Sequence, residues 1–402
     1  MKTILPLILL AALPLGGCVE KLPGEVTGTQ SIRVEVTSPA NPGGPGKNDR
    51  LADSARSVTM NLTAIGPDGA PDTSLTTDLQ VFSQFLGTLT PGLEEPPLMT
   101  VRMTNGVAMN QTLTLPSTFG PTTLWVDDGQ SANPTYATGT SVTLWYRDPF
   151  VADLQTPGDE TVNEALFRSP LETKQVTVNG SKYGANGRLI VTSVFAQGYT
   201  VSDAMCGANG APPCTSQGYD HTMVFSFSAP RDQFGELLEL GQIIDGFAGG
   251  VSEFNGLTEI GFPQSFSPET RDVNPARLPA PATFDPMWFG AVSDPMGRIN
   301  FEKNEAAPIA ITNATVCELD DDYDTYKQWK LDPAGGPGDC GNVDNLINVI
   351  TTGVISELDT ATLTSLKGRP LPRVVGVLRP VSIGSFNVWI IYPRSAADVT
   401  LP

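Results

Sequence analysis

The chain of 402 residues is acidic, with 43 Asp and Glu residues against 24 Lys and Arg residues and a formal net charge of −19. A field of this sign repels phosphate backbones and anionic lipid surfaces, so it argues against nucleic acid as a partner. Hydrophobic residues make up 40% of the sequence, which is enough for packed cores and excludes a wholly disordered chain. The 40 glycines and 35 prolines favour many short strands joined by turns over long helices.

The chain starts with the pattern of a secretory signal. Lys2 precedes an apolar run from Ile4 to Leu15, which is too short to span a bilayer as a stable helix. The run ends in Leu15-Gly16-Gly17-Cys18, a motif that resembles the lipobox of bacterial lipoproteins. The resemblance implies cleavage directly before Cys18 and a diacylglycerol on its sulfur. An ordinary signal peptide with an incidental cysteine is the alternative.

These features predict a protein that is held at a membrane through the lipid on Cys18. Residues 1–17 would be the signal peptide, and residues 18–30 are mainly polar with Gly and Pro and would form a tether. One acyl chain anchors a protein only marginally, whereas the several chains of a lipoprotein anchor it firmly. Val19 occupies the position at which some bacteria place an Asp for inner-membrane retention. Its identity favours the outer membrane, on the periplasmic or the surface face.

Four cysteines remain after Cys18, and we predict that they form two disulfides. They are Cys206, Cys214, Cys317 and Cys340. Four cysteines allow three pairings, and pairing by proximity in an oxidising compartment gives Cys206–Cys214 and Cys317–Cys340. Each bond would contribute roughly 2.5–3.5 kcal/mol in the chain-entropy description. A zinc site is the competing interpretation, but the sequence has no Cys-x-x-Cys and only one histidine, His221.

Alternating polar and apolar residues predict the first strands, from Ser31 to Thr37 and from Ser57 to Ala64. The second run leads into the turn cluster Gly66–Pro71. Strand, turn and strand together resemble the first hairpin of bacterial immunoglobulin-like domains. The resemblance implies a β-sandwich that serves as a spacer or adhesive module, and we place this domain at residues 31–146. Its further strand candidates are Leu79–Gln84, Met99–Met103, Gln111–Leu115, Thr122–Val126 and Ser141–Tyr146.

A second group of strands follows the sandwich. Residues 240–260 contain strands separated by a Gly-rich bend and an Asn-Gly turn, which is typical of a small coiled barrel because glycine lets a strand bend. Together with Gly187–Val194 and Gly198–Asp203, the segment Gly249–Ile260 resembles the OB-fold domains of extracellular bacterial nucleases and related surface proteins. The resemblance implies an OB-like β-barrel over residues 171–265, in which Gly249–Ile260 is structural and not catalytic.

Three apolar strands with glycine bends come after a Pro-rich run from Pro263 to Pro286. They are Asn348–Ser356, Arg373–Leu378 and Asn387–Tyr392. The end of the chain also resembles the last strand of the OB-like modules, so residues 270–402 form either a second OB-like β-barrel or strands that complete the first. The predicted fold class is all-β, with an N-terminal immunoglobulin-like β-sandwich followed by one or two OB-like β-barrels.

No residue pattern points to catalysis. His221 is the only histidine, so a Ser-His-Asp or Cys-His arrangement would have to use it, and no Gly-x-Ser-x-Gly elbow supplies a nucleophile. The sequence contains no Walker A motif and no Rossmann fingerprint. No carboxylate pair for glycoside hydrolysis is singled out among the 43 Asp and Glu residues. We therefore predict that the protein is not an enzyme.

One acidic segment supplies the only metal candidates. Alternate carboxylates can converge on calcium, which prefers oxygen ligands. The candidates are Asp320, Asp322 and Asp324, with Glu318 beside them. An EF-hand loop would also need Gly at its sixth position and Glu at its twelfth, where Thr325 and Leu331 stand. We favour a solvated acidic loop, with calcium as the alternative, and predict no other cofactor.

OB folds often bind single-stranded nucleic acid on an aromatic and basic face, and the middle region contains several aromatic residues that could form such a face. They are Tyr199, Phe225, Phe227, Phe247, Phe254 and Phe262. Basic residues nearby are few, namely Lys182, Arg188 and Arg231. Because the chain is strongly acidic, we expect these aromatic residues to belong to the barrel core and not to a nucleic-acid surface.

The sequence thus predicts a lipid-anchored cell-envelope protein with a non-catalytic binding or structural role. Its expected partners are the membrane, through the lipid on Cys18, and an envelope protein or a glycan. One alternative is an accessory or degenerate relative of extracellular nucleases, without the His-rich catalytic domain of the full enzymes. Another is a glycan-processing enzyme with an unmarked carboxylate pair.

Overall fold

The computed structural model describes residues 28–85, 96–116, 118–127, 137–158, 167–290, 298–336, 340, 345–383 and 386–402. The signal peptide, Cys18 and most of the tether lie outside these residues. Within the part of the chain that the structure describes, no helix is long and apolar enough to cross a membrane. Strands dominate the regular structure, so the prediction of an all-β fold is confirmed.

The N-terminal strands form two sheets. The strands are β1 (Ser31–Ser38), β2 (Ser57–Ile65), β3 (Thr77–Phe85), β4 (Met99–Met103), β5 (Val107–Thr114), β6 (Pro121–Asp127), β7 (Thr138–Thr140) and β8 (Leu144–Trp145). One sheet has the order β1-β2-β5, and the other has the order β4-β3-β6-β7 with β8 paired to β6. Neighbouring strands in both sheets run antiparallel, as in a β-sandwich.

Strand β2 shows why this region packs as two layers. Its alternate residues Val58, Met60 and Leu62 are fully buried, and they share one core cluster with Leu79 and Val81 of β3 in the other sheet. Because successive side chains on a strand point to opposite faces, one face of each sheet supplies the core. The alternation in the sequence therefore leads directly to the sandwich.

The predicted strand Ser141–Tyr146 is wrong in its first half, because only Leu144–Trp145 pairs as a strand there. The Ser141 hydroxyl accepts a hydrogen bond from the Leu124 N–H at 2.9 Å. The Ser141 side chain thus binds the Leu124 N–H, which would have formed a backbone hydrogen bond if the strand pairing were longer. Val142, which follows, is exposed.

A short helix, α1 (Val151–Gln155), leads from the sandwich to a middle barrel. The barrel strands are β9 (Gln175–Val178), β10 (Gly187–Phe195), β11 (Gly198–Met205), β12 (His221–Phe225), β13 (Ile243–Ile244), β14 (Gly246–Phe254) and β15 (Leu257–Phe266). Their order is β13-β10-β11-β12-β15-β14-β9, and β12 and β15 run parallel. Five of these strands follow one another across the sheet in the order β10-β11-β12-β15-β14. When they are numbered 1 to 5 by their position along the chain, this order is 1-2-3-5-4, as in an OB fold.

The C-terminal region forms a separate sheet. Its elements are β16 (Ala282–Thr283), α2 (Ile299–Lys303), β17 (Pro308–Val316), α3 (Asp321–Tyr326), β18 (Gln328–Asp332), β19 (Ile347–Ile350), α4 (Thr360–Leu366), β20 (Pro370–Ile383), β21 (Phe386–Tyr392) and β22 (Val399–Thr400). The order β17-β18-β19-β21-β20 closes into a five-stranded barrel, because β20 pairs back to β17. The strand order is again 1-2-3-5-4, with β19 and β21 parallel. The described strands of this sheet therefore form their own barrel.

Two details of the C-terminal barrel differ from the prediction. The strand predicted at Asn348–Ser356 covers only Ile347–Ile350, because the N–H groups of Val354 and Ile355 both donate to the Thr351 carbonyl and turn the chain. The first barrel strand, β17, was not predicted. Its run Pro-Ile-Ala-Ile is buried without interruption, so it shows no alternation that marks a half-buried strand.

Candidate functional site: an exposed aromatic cluster

The parallel pairing of β12 and β15 brings three phenylalanine rings together on the surface of the middle barrel. The two strands pair Val224 with Ile260, so the residues that follow on each strand lie side by side. The ring centroids of Phe225 and Phe227 are 5.4 Å apart, and those of Phe227 and Phe262 are 5.3 Å apart. We call Phe225, Phe227 and Phe262 the aromatic cluster.

A β-bulge directs Phe262 outward. The pairing of β14 with β15 shifts between Ala248 and Gly250, so that two residues of β15 oppose Gly249 alone. Phe262 adopts a φ of 50°, in the left-handed region that bulky residues rarely enter. Bulges re-aim side chains and occur often beside functional sites. Phe262 is 80% exposed and Phe227 is 68% exposed, so both side chains are largely open to solvent.

The cluster lies at the end of the barrel where β10 turns into β11. The Ser226 N–H donates to the Gln197 carbonyl in that turn at 3.0 Å. Neighbouring Phe195 does not belong to the cluster, because Arg379 covers its ring at 3.9 Å.

The expectation that the aromatic residues all belong to the core is right for two of them and wrong for others. Tyr199 and Phe247 are fully buried in the barrel core. Phe227 and Phe262 are exposed in the cluster, and Phe254 is 61% exposed at the turn between β14 and β15. The reason is backbone geometry: the bulge in β15 and the ends of strands aim these rings away from the core. The sequence carries no local signal for the bulge except Gly249 and Gly250.

His221 is enclosed within the barrel wall. Its Nδ1 lies 2.7 Å from the Ser202 hydroxyl oxygen, and both residues are buried. Burial, with a further contribution from the nearby Lys182 ammonium, lowers the pKa of His221 to about 3. The imidazole is therefore neutral at ordinary pH, and neither side chain is accessible to a substrate in this structure.

A polar cavity of about 430 Å³ lies between the N-terminal sandwich and the middle barrel. Its basic groups are already occupied by backbone carbonyls. Lys47 Nζ donates to the Asn179 carbonyl at 2.9 Å, and the Arg188 guanidinium donates to the Ala185 carbonyl at 2.9 Å. The cavity thus presents no free cationic group from these two residues, and it is a weaker candidate than the aromatic cluster.

Both predicted disulfides are formed. Cys206 bonds to Cys214, and Cys317 bonds to Cys340. The first closes a short loop after β11, and the second ties the end of β17 to the connection between β18 and β19. The two bonds brace loops at the margins of the barrels, and none of the four cysteines belongs to the aromatic cluster.

The acidic segment proposed for calcium lies at the start of α3. Lys330 Nζ contacts Asp320 Oδ2 at 2.5 Å and Asp322 Oδ2 at 2.6 Å, and the Asp320 side chain also caps the helix. Calcium at Asp320, Asp322 and Asp324 would have to compete with this ammonium group. Within the described residues, no group of three or more His, Cys, Asp or Glu side chains is arranged to hold a metal ion.

Comparisons with protein-family models, with curated proteins and with solved structures find no match for this chain.

Proposed function

We propose that this protein is a lipid-anchored component of the bacterial cell envelope with a non-catalytic binding role, and that the aromatic cluster is its binding surface. The observation that carries the proposal is the exposure of Phe227 and Phe262, whose rings contact each other on the outside of a folded barrel. Exposed apolar surface of this kind is typical of interaction sites. The lipobox ending in Cys18 supports the anchor, and two disulfides fit an oxidising compartment.

A neutral glycan is the ligand class that suits the cluster best. OB folds bind oligonucleotides and oligosaccharides, and the net charge of −19 disfavours an oligonucleotide. An aromatic ring offers a flat apolar face that can cover the C–H face of an uncharged sugar ring. The outer membrane is the expected location, where the protein would meet envelope glycans.

A binding screen with the mature, full-length protein tests this proposal. Neutral cell-envelope polysaccharides immobilised on beads should retain the protein, and Phe227→Ala and Phe262→Ala should each reduce retention. Phe254→Ala is the matched control, since it removes an equally large exposed ring outside the cluster. Equal retention of all variants would refute the cluster as the binding surface. Retention by an envelope protein and not by glycans would refute the ligand class.

The alternatives from other classes are an accessory relative of extracellular nucleases and a glycan-processing enzyme. Turnover of DNA that depends on zinc or magnesium would support the first, and release of sugars from a polysaccharide would support the second. The structure offers neither proposal a specific observation comparable to the aromatic cluster.

A further inference from the structure

One segment of the C-terminal barrel, residues 299–306, packs on the outside of the middle barrel. Its Phe301 side chain belongs to the C-terminal core. The Ala306 N–H donates to a carbonyl of β20 at 2.8 Å, which fixes the segment to its own barrel. Ala306 also packs against Met223 and Leu257 of the middle barrel in a small buried cluster. The segment therefore connects the two barrels.

The surface that the C-terminal barrel covers is polar. Because side chains alternate along β11 and Tyr199 and Val201 point into the core, Thr200 and Ser202 point outward, yet both are fully buried. Arg394 of the C-terminal barrel donates to a carbonyl of β10 at 3.2 Å beside them. In OB folds, the outer face of the second and third strands holds ligands. In this protein the corresponding face of β11 is closed from within the same chain.

Two buried glutamates and one half-buried glutamate lie where the barrels meet. Glu302 and Glu305 come from the segment 299–306, and each is only 2% exposed. Glu253 comes from β14. The Thr258 N–H donates to Glu305 Oε1 at 3.0 Å, and the Thr258 hydroxyl donates to Glu253 Oε1 at 2.7 Å. Thr258 therefore ties a carboxyl of one barrel to a carboxyl of the other.

The second oxygens of these carboxyls are unsatisfied. Among the described residues, Oε2 of Glu253, Glu302 and Glu305 and Oε1 of Gln155 have no hydrogen-bond partner. The Gln155 side chain does hydrogen-bond to the carboxyl of Glu305 and lowers its pKa in part. An ionised carboxylate that is buried without a donor or a cation is costly, because its charge has lost its hydration. A proton removes that charge and makes one carboxyl a donor to the next unsatisfied oxygen.

We propose that Glu253, Glu302 and Glu305 form a proton-operated latch between the two barrels. In the closed state the carboxyls hold protons and the interface stays dry. When they release their protons to solvent, the charges repel each other, the interface opens, and the outer face of β11 and β12 becomes accessible. We call these three residues the carboxyl latch.

Electrostatics around the latch supports this proposal. Burial, with a further contribution from Glu253, raises the pKa of Glu302 to about 9. Burial also raises the pKa of Glu305 well above its ordinary value, with further contributions from Glu302 and Glu253. For Glu253, burial outweighs the lowering effect of its hydrogen bonds, so its pKa is raised as well. Each shift favours the protonated form in the closed state.

The other charged groups near the latch do not neutralise it. Arg168 and Glu172 act on Glu253 with opposite signs. Arg379 faces Glu259, whose pKa burial raises to about 7 despite this cation. Glu259 therefore titrates in the same direction as the latch and adds to its response.

The sign of the pH dependence follows from these shifts. A carboxyl whose pKa is raised in the closed state binds its proton more tightly there than in the open state. The closed state thus has its full stability below about 4.5, the ordinary pKa of Glu, and loses stability as the pH rises toward about 9, the pKa of buried Glu302. The ratio of closed to open protein falls about tenfold per pH unit for each carboxyl that ionises on opening.

Hydrogen–deuterium exchange of the full mature protein, corrected for the intrinsic pH dependence of exchange, tests the latch. Between about pH 5 and about pH 9, the amides of β11, β12 and residues 299–306 should lose protection by two or more orders of magnitude, as about tenfold per pH unit requires. The amides of β2 in the N-terminal sandwich serve as an internal reference and should keep their protection. A protection of β11 that does not change with pH would overturn the proposal.

The double variant Glu302→Gln with Glu305→Gln should lose much less protection than the wild type up to about pH 9, because an amide keeps the shape of a protonated carboxyl but does not ionise, so that only Glu253 and Glu259 still titrate. Glu269→Gln, at an exposed position after β15, is the control and should open like the wild type. If the double variant is poorly folded, Glu302→Gln alone should show a shallower pH dependence. A double variant that opens like the wild type would overturn the latch. If added calcium closed the wild type but not the double variant at neutral pH, a cation and not protons would hold the interface. That result would also overturn the latch.

Discussion

The guanidinium of Arg379 lies 3.9 Å from the centroid of the Phe195 ring and so joins the C-terminal barrel to the middle barrel. Its other neighbour is the Tyr392 ring, at 4.7 Å from centroid to guanidinium. Burial lowers the pKa of Arg379 to about 10, while Tyr392 and Glu259 raise it in part. A planar cation that stacks between rings of two barrels is suited to hold them in one orientation.

Loss of this stacking should weaken the contact between the barrels. Arg379→Ala is expected to lower the free energy of unfolding by about 2 kcal/mol, the value of a desolvated cation–π contact. Arg102→Ala is the control, because Arg102 makes only an exposed ion pair with Asp78 and should cost less than about 1 kcal/mol. Urea unfolding measures both. Equal losses in the two variants would contradict the role of Arg379 in docking.

The bulge that exposes Phe262 should depend on Gly249. A Cβ at this position would lie 2.5 Å from Ile260 Cγ2 and 2.6 Å from the Gly261 carbonyl oxygen. Gly249→Ala should therefore destabilise the protein by about 1–3 kcal/mol and displace Phe262. Thermal unfolding and the binding assay would both register the change. A Gly249→Ala variant with unchanged stability would show that the backbone relaxes without difficulty.

His221 should make the protein less stable in acid. Its pKa is lowered from 6.5 to about 3 in the folded state, so the unfolded chain binds a proton more readily. The stability that a neutral His221 allows is present above pH 6.5 and is lost as the pH falls toward about 3, at about 1.4 kcal/mol per pH unit. In His221→Gln this part of the acid dependence should disappear from pH-dependent urea unfolding. If His221→Gln lost stability in acid as the wild type does, another titrating group would be the cause.

The two disulfides should stabilise the folded state by different amounts. Their cysteines are 8 and 23 residues apart, and the chain-entropy description gives about 2.5 kcal/mol for the shorter loop and about 3.5 kcal/mol for the longer one. Replacing Cys206 and Cys214 by Ser should therefore cost less than replacing Cys317 and Cys340. Non-reducing peptide mapping of the native protein should find both bonds. Free thiols at these four positions would refute an oxidising location.

The lipid anchor makes a prediction for fractionation. Wild-type protein should carry a diacylated Cys18 at its mature N-terminus and should sediment with outer membranes. Cys18→Ala should appear in the soluble fraction, because the only membrane attachment that we propose has been removed. Mass spectrometry of the N-terminus checks both forms. Membrane retention of Cys18→Ala would contradict the lipobox interpretation.

Local patterns in the sequence were sufficient to predict much of the fold. The alternation of Val58, Met60 and Leu62 predicted β2, and the Asn255-Gly256 turn separated β14 from β15. Proximity along the chain also predicted both disulfides. For the strands and the turn the signal lies within a few residues, and for the disulfides it lies within 8 and 23 residues, so the structure depends mainly on short stretches of the chain.

The candidate site and the latch could not be predicted in the same way. The exposure of Phe262 depends on the register between β14 and β15, and its contact with Phe227 depends on the parallel pairing with β12. Glu302 and Glu305 carry no burial signal of their own in the sequence, yet both are buried where the two barrels meet, and Glu305 accepts a hydrogen bond from the Thr258 N–H of the middle barrel. Both features arise from contacts between distant parts of the chain.

The central claim is that the aromatic cluster binds a neutral glycan, and isothermal titration with the polysaccharide selected in the screen tests it most directly. The account predicts that Phe262→Ala binds at least about tenfold more weakly than the wild type, which corresponds to a loss of about 1.4 kcal/mol, while Phe254→Ala binds as the wild type does. Equal affinities for wild type, Phe262→Ala and Phe254→Ala would contradict the account.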